Sequence, residues 1–206
     1  MSGAPRLLLI TDLGVADVAA HVRRLGRALA AADARRTLVG LRDHALGARE
    51  RLDFGRRLLE VVRSAGASLV VHDRVDLACA LGADGVQLGR ASVTVGEARA
   101  LLGPGAIVGC SCHDERELAV AGRDGASFAT LSPLFASPGK GPPLGVERFA
   151  ALRARVAIPV LALGGLDRGG LDGARRASAD GVAVIRAVVG VDDPAPFVEA
   201  VFRAFG

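Results

Sequence analysis

The chain has no tryptophan and no tyrosine, and its aromatic share is only 3%. A protein that holds nucleic acid by base stacking needs aromatic platforms. The 26 Lys and Arg residues are also scattered rather than gathered into a stripe or tail, so nucleic acid is not an expected partner. Long hydrophobic runs are missing too. The opening MSGAPRLLLITD offers only Leu7 to Ile10, shorter than a signal-peptide core and far shorter than a membrane span. No membrane association is expected, and the expected location is the cytoplasm. Cysteine is sparse: Cys79, Cys110 and Cys112 are odd in number and lack a disulfide-framework spacing, which suits a reducing compartment. Cys110 and Cys112 lie two apart in an expected strand and so face the same way. Without a second ligand pair elsewhere they read as packed thiols, not as a metal site.

What is present fits a globular α/β chain. With 206 residues, 50% hydrophobic and 23% charged, the sequence can bury one substantial core, and one domain spanning residues 1–206 is expected. A net charge of +4 and a pI near 9.7, without clustering, fit a small anionic ligand.

The stretch Ala67 to Gly89, ASLVVHDRVDLACALGADGVQLG, reads as a complete βαβ unit: apolar strand, polar tip, short amphipathic helix, Gly-containing turn, apolar strand. The same alternation runs through the chain. Strands are expected at Arg6 to Asp12, Thr37 to Arg42, Ser68 to Asp73, Val86 to Gly89, Ile107 to His113, Phe128 to Phe135, Val160 to Gly165 and Val182 to Ala187. Helices are expected at Val15 to Ala32, Ala45 to Ala65, Asp76 to Leu81, Val93 to Leu102, Asp114 to Arg123, Val146 to Arg155, Gly170 to Ala177 and Pro194 to Phe205. Such alternation, without a hairpin signal, predicts a single-domain (β/α)8 TIM barrel.

In that fold the carboxyl ends of the strands carry function. The expected rim holds Asp12, Arg42, Asp43, His72, Asp73, Arg74, Gln87, Ser111, His113, Ser132, Lys140, Gly164, Gly165 and Arg186. Helix capping is the structural alternative for any single Asp or Ser among them. The segment LALGGL, Leu161 to Leu166, is the best anion signal. Two glycines after a seventh strand let backbone N–H groups approach a phosphate, and Ile185 and Arg186 at the end of the eighth strand could hold the same group. Asp73 is the expected ligand for a hard cation such as Mg²⁺, with an N-cap or an ion pair with Arg74 as its structural reading. His44, His72 and His113 could each act as acid, base or donor, but no two have zinc-pair spacing. The loop ASPGKGPPL, Ala136 to Leu144, forbids regular structure and could bring Lys140 onto a ligand.

These tips match a family. LLLITD, VGLRDH at 39–44, VVHDRVDLACALGADGVQLG, IVGCSCH at 107–113, SPLFASPGKGPPLG at 132–145, IPVLALGG at 158–165 and ADGVAVIRA at 179–187 resemble the thiamine phosphate synthase and thiazole tautomerase family over nearly the whole chain. The resemblance implies a transferase that joins hydroxymethylpyrimidine diphosphate to thiazole phosphate and releases pyrophosphate with Mg²⁺ assistance. It implies small phosphorylated substrates as partners. Arg42, Ser111 and Lys140 are the implied catalytic groups. His44, His72, Ser137, Gly164, Gly165, Ile185 and Arg186 join them in binding substrate, and Asp73 is the implied metal ligand. Barrels of this kind often pair through their outer helices, which makes a homodimer a candidate assembly.

The chain departs from the family pattern at several tips. The second strand ends Gly40, Leu41, Arg42, Asp43, His44 where a Gln-Leu-Arg-Glu-Lys-like run is usual, and the third ends His72, Asp73 in place of Asn-Asp. Gly89, Arg90, Ala91, Ser92 stands for Gly-Gln-x-Asp, losing a second metal carboxylate. Gly139 replaces a hydroxyl residue and Arg186 a serine, while Arg90 and Arg186 add positive charge. Two other functions fit the residues: a tautomerase-like isomerase, whose usual sixth-strand histidine is Pro133 here, and a noncatalytic module that binds a phosphorylated ligand.

Overall fold

A computed structural model of the chain describes residues 3–43 and 45–206. Parallel strands β1 (Leu7–Ile10), β2 (Thr37–Leu41), β3 (Ser68–His72), β4 (Gly85–Leu88), β5 (Ile107–Cys112), β6 (Phe128–Leu131), β7 (Val160–Leu163) and β8 (Gly181–Val184) pair in chain order, and β8 pairs back onto β1. The barrel is closed, as the alternation predicts. Around it run helices α1 (Val18–Ala30), α2 (Ala48–Ala65), α3 (Val75–Leu81), α4 (Val95–Leu102), α5 (Glu115–Arg123), α6 (Gly145–Arg153), α7 (Leu171–Arg176), α8 (Arg186–Val189) and α9 (Ala195–Phe205).

Strand alternation divides the core in two. Leu7, Leu9, Val39, Val71, Val108, Ala162 and Val182 face outward and pack against the helices. Leu8, Ile10, Leu38, Val70, Ile107, Phe128, Leu161 and Ala183 face inward and fill the barrel. Both sets are buried because a parallel sheet covered on both faces leaves no strand residue a polar side.

Helix starts follow local chemistry. Asp17 accepts the Ala20 N–H at 2.7 Å, Asp114 accepts from Glu117 at 2.8 Å, and Thr94 with Glu97 forms a reciprocal capping box. Gly66 and Gly82 close α2 and α3 in the left-handed conformation.

The expected strands run past the observed ends, β6 and β8 furthest. β6 stops at Leu131 instead of Phe135, because Pro133 has no N–H to continue the ladder. β8 stops at Val184 instead of Ala187: Ile185, at φ −117° and ψ −79°, has left the extended region, so Arg186 opens α8, a helix the periodicity did not reveal. A one-turn 3₁₀ segment, Ala34–Arg36, is likewise new.

The lower rim repeats one device. In Ala83-Asp84-Gly85 and Ala179-Asp180-Gly181 the aspartate accepts the N–H of a preceding strand, Asp84 from Leu69 at 2.8 Å and Asp180 from Val160 at 2.7 Å. The glycine then lets the next strand close in. A Cβ on Gly85 would lie 1.8 Å from the Ile107 carbonyl oxygen, and one on Gly181 would lie 2.2 Å from that of Arg6.

Cys110 is half-buried and Cys112 buried on the outer side of β5, and all the cysteines are free. Burial pushes the Cys110 thiol up to about 11 and, with the neighbouring Cys110, Glu117 and Asp114 adding to it, the Cys112 thiol to about 12. These are packed neutral thiols, as the spacing suggested.

Two stability outcomes follow. Gly85→Ala destabilises the fold by about 2–4 kcal/mol, since only backbone can move to admit the methyl group, whereas Gly96→Ala in α4, with nothing within 4 Å, changes stability by about 1 kcal/mol or less. Urea unfolding checks both, and equal losses would contradict the close approach. The second outcome concerns alkaline pH. Above 9.0 the unfolded thiols release protons that the native protein keeps until about 11 and 12, so stability is intact below 9 and declines above it. With no tyrosine and one lysine, few other groups titrate there. A Cys110→Ala/Cys112→Ala variant therefore loses stability less steeply between pH 9 and 11 in denaturant melts.

Candidate functional site

The strand ends form a mouth with two flanks. On one, a cavity of about 370 Å³ is lined by Asp12 beyond β1, Arg42 after β2, Ser137 and Lys140 from the β6–α6 loop, Gly164 and Gly165 after β7, and Ile185 and Arg186 after β8. These residues, far apart in sequence, are brought together as the barrel rule requires.

Arg42 is held from both sides. Its Nη2 donates to Asp12 Oδ2 at 3.1 Å, and its backbone N–H donates to Thr11 Oγ1 at 2.9 Å. Thr11 in turn donates to Asp43 Oδ2 at 2.8 Å, and the Leu13 N–H donates to Asp43 Oδ1 at 2.8 Å. Asp43 is thus buried scaffolding for the β1 and β2 tips, not a rim ligand. Asp12 is fixed through its own N–H, donated to Nε2 of the fully buried His21 at 3.1 Å, while His21 Nδ1 donates to the Asp17 carbonyl at 2.9 Å. That pair of contacts sets the tautomer. Arg42 Nε is buried and, among the described residues, has no hydrogen-bond partner. A buried donor on a cavity wall is suited to an anionic ligand.

The glycine turn is required by its surroundings. Gly164 and Gly165 have φ of +102° and +63°. A Cβ on Gly164 would lie 2.7 Å from Pro133 Cβ, and one on Gly165 would lie 2.5 Å from the Ala136 carbonyl oxygen. Only glycine admits both the dihedrals and the approach. The turn is therefore pressed against the base of the loop that carries Ser137 and Lys140. Lys140 is exposed and is the only lysine in the chain.

The opposite flank carries the β3, β4 and β5 tips. Asp73, at φ +60°, accepts the Gly89 N–H at 2.7 Å through Oδ1, and Ser92 Oγ bonds the same oxygen. Arg74 pairs with Asp76 at 2.5 Å, so neither structural reading of Asp73, N-cap or partner of Arg74, applies. Arg90 does not add unpaired charge: it pairs with Glu117 at 3.2 Å, which also binds His113 Nδ1 at 3.1 Å. A second cavity of about 370 Å³ reaches Gly89, Arg90, Ser92 and the half-buried Ser111, but Cys110, Cys112 and residues of α4 and α5 form most of its wall, so it is a groove on the outer side of the barrel and not part of the mouth. Asp73 and Ser111, at the β3 and β5 tips, do not line the cavity of Arg42, Lys140 and Arg186. His44 lies outside the described residues.

His72 sits at the end of β3, and a Cβ on Gly40 would lie 2.9 Å from its Nε2. The imidazole occupies space that any side chain at position 40 would need. Gln87 is fully buried below the rim. Its inward direction could be read from strand alternation; its partners, Ser111 and Thr130, could not.

Among the described residues, no cluster of three or more His, Cys, Asp or Glu could hold a metal. At the β3 tip Asp73 offers a carboxylate, with one oxygen engaged by Gly89 and Ser92 and the other without a hydrogen-bond partner among the described residues. That donor set fits a Mg²⁺ shared with substrate oxygens, which needs only one or two carboxylates, and not an all-protein cage.

No helix among the described residues is long and apolar enough to cross a membrane.

Comparison with known proteins agrees with this geometry. Residues 7–188 match the family model described as thiamine monophosphate synthase. A thiamine-phosphate synthase of Moorella thermoacetica is 40% identical over 177 residues, covering 82% of this chain and 84% of that one. One from Chloroflexus aurantiacus is 36% identical over 191 residues, covering 91% and 87%. Among solved structures, thiamine phosphate pyrophosphorylase from Pyrococcus furiosus superposes with a TM-score of 0.83 at 28% identity, over 97% of this chain and 95% of that one. The chain belongs to the thiamine monophosphate synthase family.

Proposed function

We propose that this protein is a thiamine-phosphate synthase, condensing hydroxymethylpyrimidine diphosphate with thiazole phosphate and releasing pyrophosphate. The observation that carries the reading is the single cavity that gathers Arg42, Ser137, Lys140, Gly164, Gly165 and Arg186. The lining suits a phosphate ester: glycine backbone on one side, guanidinium and ammonium on the other.

In the proposed mechanism the thiazole phosphate sits against Gly164, Gly165, Ile185 and Arg186. The pyrimidine diphosphate lies toward Arg42, His72 and Ser111. The bond between the pyrimidine methylene carbon and the diphosphate oxygen breaks, and the thiazole nitrogen forms a bond to the same carbon. Charge then accumulates on the departing diphosphate. Arg42, fixed by Asp12, and Lys140, delivered by its loop, offset that charge, and the Ser111 hydroxyl donates to it. Asp73 would hold Mg²⁺, which when bound supplies further charge neutralisation on the diphosphate. Arg186 adds a fixed cation to the thiazole phosphate seat.

The tautomerase reading is not favoured. The residue at its usual base position is Pro133, which has no proton to exchange and packs against Gly164. A homodimer through the outer helices belongs to the proposal, supported by the exposed apolar side chains of Val93, Leu101 and Val120 on or beside α4 and α5. The proposed setting is the cytoplasm.

Purified protein incubated with Mg²⁺ and both phosphorylated precursors should form thiamine phosphate. Lys140→Ala should lower kcat about 100-fold or more, while its thermal melt stays close to the parent. No product above a heat-inactivated control would refute the assignment. In the same assay Asp73→Asn should raise the Mg²⁺ concentration for half-maximal rate roughly 10-fold or more. An unchanged Mg²⁺ titration would remove Asp73 as the metal ligand.

A further inference from the structure

Beneath the mouth, on the inner face of β4, Gln87 is fully buried. Its Nε2 donates to Ser111 Oγ at 3.0 Å and to Thr130 Oγ1 at 3.4 Å, so the amide's two N–H bonds are each directed at a hydroxyl oxygen. Its Oε1 is buried without a hydrogen-bond partner among the described residues. That oxygen and Phe128 Cζ crowd the same space beside Gly109: a Cβ placed there would lie 2.1 Å from the oxygen and 2.4 Å from the ring carbon. The edge of an aromatic ring carries partial positive charge and tolerates a carbonyl oxygen better than an amide N–H. The reverse orientation would bury two unpaired donors against the ring, at greater cost. The surroundings therefore set which end of the amide meets the hydroxyls.

A hydroxyl has one hydrogen and two lone pairs. When Gln87 occupies a lone pair of Ser111 from below, the hydrogen of Ser111 is free to point upward. Ser111 is half-buried at the tip of β5, which pairs with β4, and the residues just after β4 include Gly89 and Ser92, the two partners of Asp73. We propose that Gln87 is a positioning residue that holds Ser111 as an obligatory hydrogen-bond donor toward the leaving diphosphate. This rests on the synthase reading. Gln87 touches no substrate itself; it acts by denying Ser111 an inward acceptor. Gly109 makes the arrangement possible, because any side chain there would displace the amide oxygen.

The test uses Gln87→Met, which keeps volume and removes the N–H donors, and Gln87→Glu, which presents acceptor oxygens that draw the Ser111 hydrogen downward. Each is made in the parent and in Ser111→Ala. With the donor role, kcat falls about 10-fold in Gln87→Met and further in Gln87→Glu, while KM for thiazole phosphate is unchanged. In the Ser111→Ala background neither substitution lowers kcat further. Equal losses in both backgrounds, a kcat at the parent level in both variants, or a rise in thiazole phosphate KM of the same size would overturn the proposal. Calorimetric titration of inorganic pyrophosphate, without Mg²⁺, separates this idea from the synthase reading. Gln87→Met should weaken pyrophosphate several-fold only when Ser111 is present, whether or not the parent turns over its precursors. If one variant fails to melt cooperatively, the other decides, since each alone predicts a Ser111-dependent loss.

Discussion

The fold depends on closing a parallel sheet without leaving backbone groups unpaired at its seams. A barrel has no edges, but it closes only where neighbouring strands approach to hydrogen-bonding distance all the way round. At two seams this chain uses the same residue pair. Asp84 and Asp180 each accept an N–H from a preceding strand, and Gly85 and Gly181 each leave room for the carbonyl of the next. Ser127 plays the accepting part for β5, taking the Val108 N–H at 3.1 Å. Asp180 also pairs with Arg153 at 2.6 Å, and Arg6 reaches across the β8–β1 seam to the Asp180 carbonyl at 2.6 Å. The lower rim is thus where polar groups are spent on closure, which leaves those of the upper rim available for ligands.

Closure places the tips, and small residues then shape the mouth. Gly40 leaves room for His72, Gly109 for the Gln87 amide, and Gly164 with Gly165 for the turn packed on Pro133 and Ala136. Around these openings the polar groups are restrained by neighbouring side chains. Asp12 holds Arg42, and Glu117 holds both Arg90 and His113. Such pairing orients side chains in advance and costs little at partly exposed positions, where ion pairs are worth about 1 kcal/mol or less. Among the described residues Lys140 and Arg186 have no ion pair, and both line the cavity assigned to the phosphate ester.

Departures from the family pattern read differently once they are seen in place. Ser92, standing where a second carboxylate is usual, bonds Asp73 and so stabilises the remaining carboxylate in its left-handed loop. Arg90 extends to Glu117 and not to the metal position. The loss of a side chain at position 40 and the gain of a ring at position 72 are one volume exchange. None of these changes dismantles the mouth. They alter which groups supply polarity within it.

The repeating apolar strands and amphipathic helices were legible directly, because periodicities of two and 3.6 residues report burial without reference to partners. So were the glycine pair after β7 and the packed thiols of β5. Strand ends were less so: Pro133 and Ile185 stop their strands through local backbone restrictions that a run of apolar letters conceals. Partner choice was beyond reach. Nothing in the letters says that Asp43 serves Thr11 and Leu13 and not the rim, that Arg90 turns to Glu117, or that Gln87 rests beneath Ser111. By itself the sequence determined the architecture, the order of the tips and the chemical type of each. Only the tertiary structure decided which tips share a cavity and which side chains are already engaged, because hydrogen bonds and ion pairs depend on distances of a few ångströms between residues that closure, not chain order, makes neighbours.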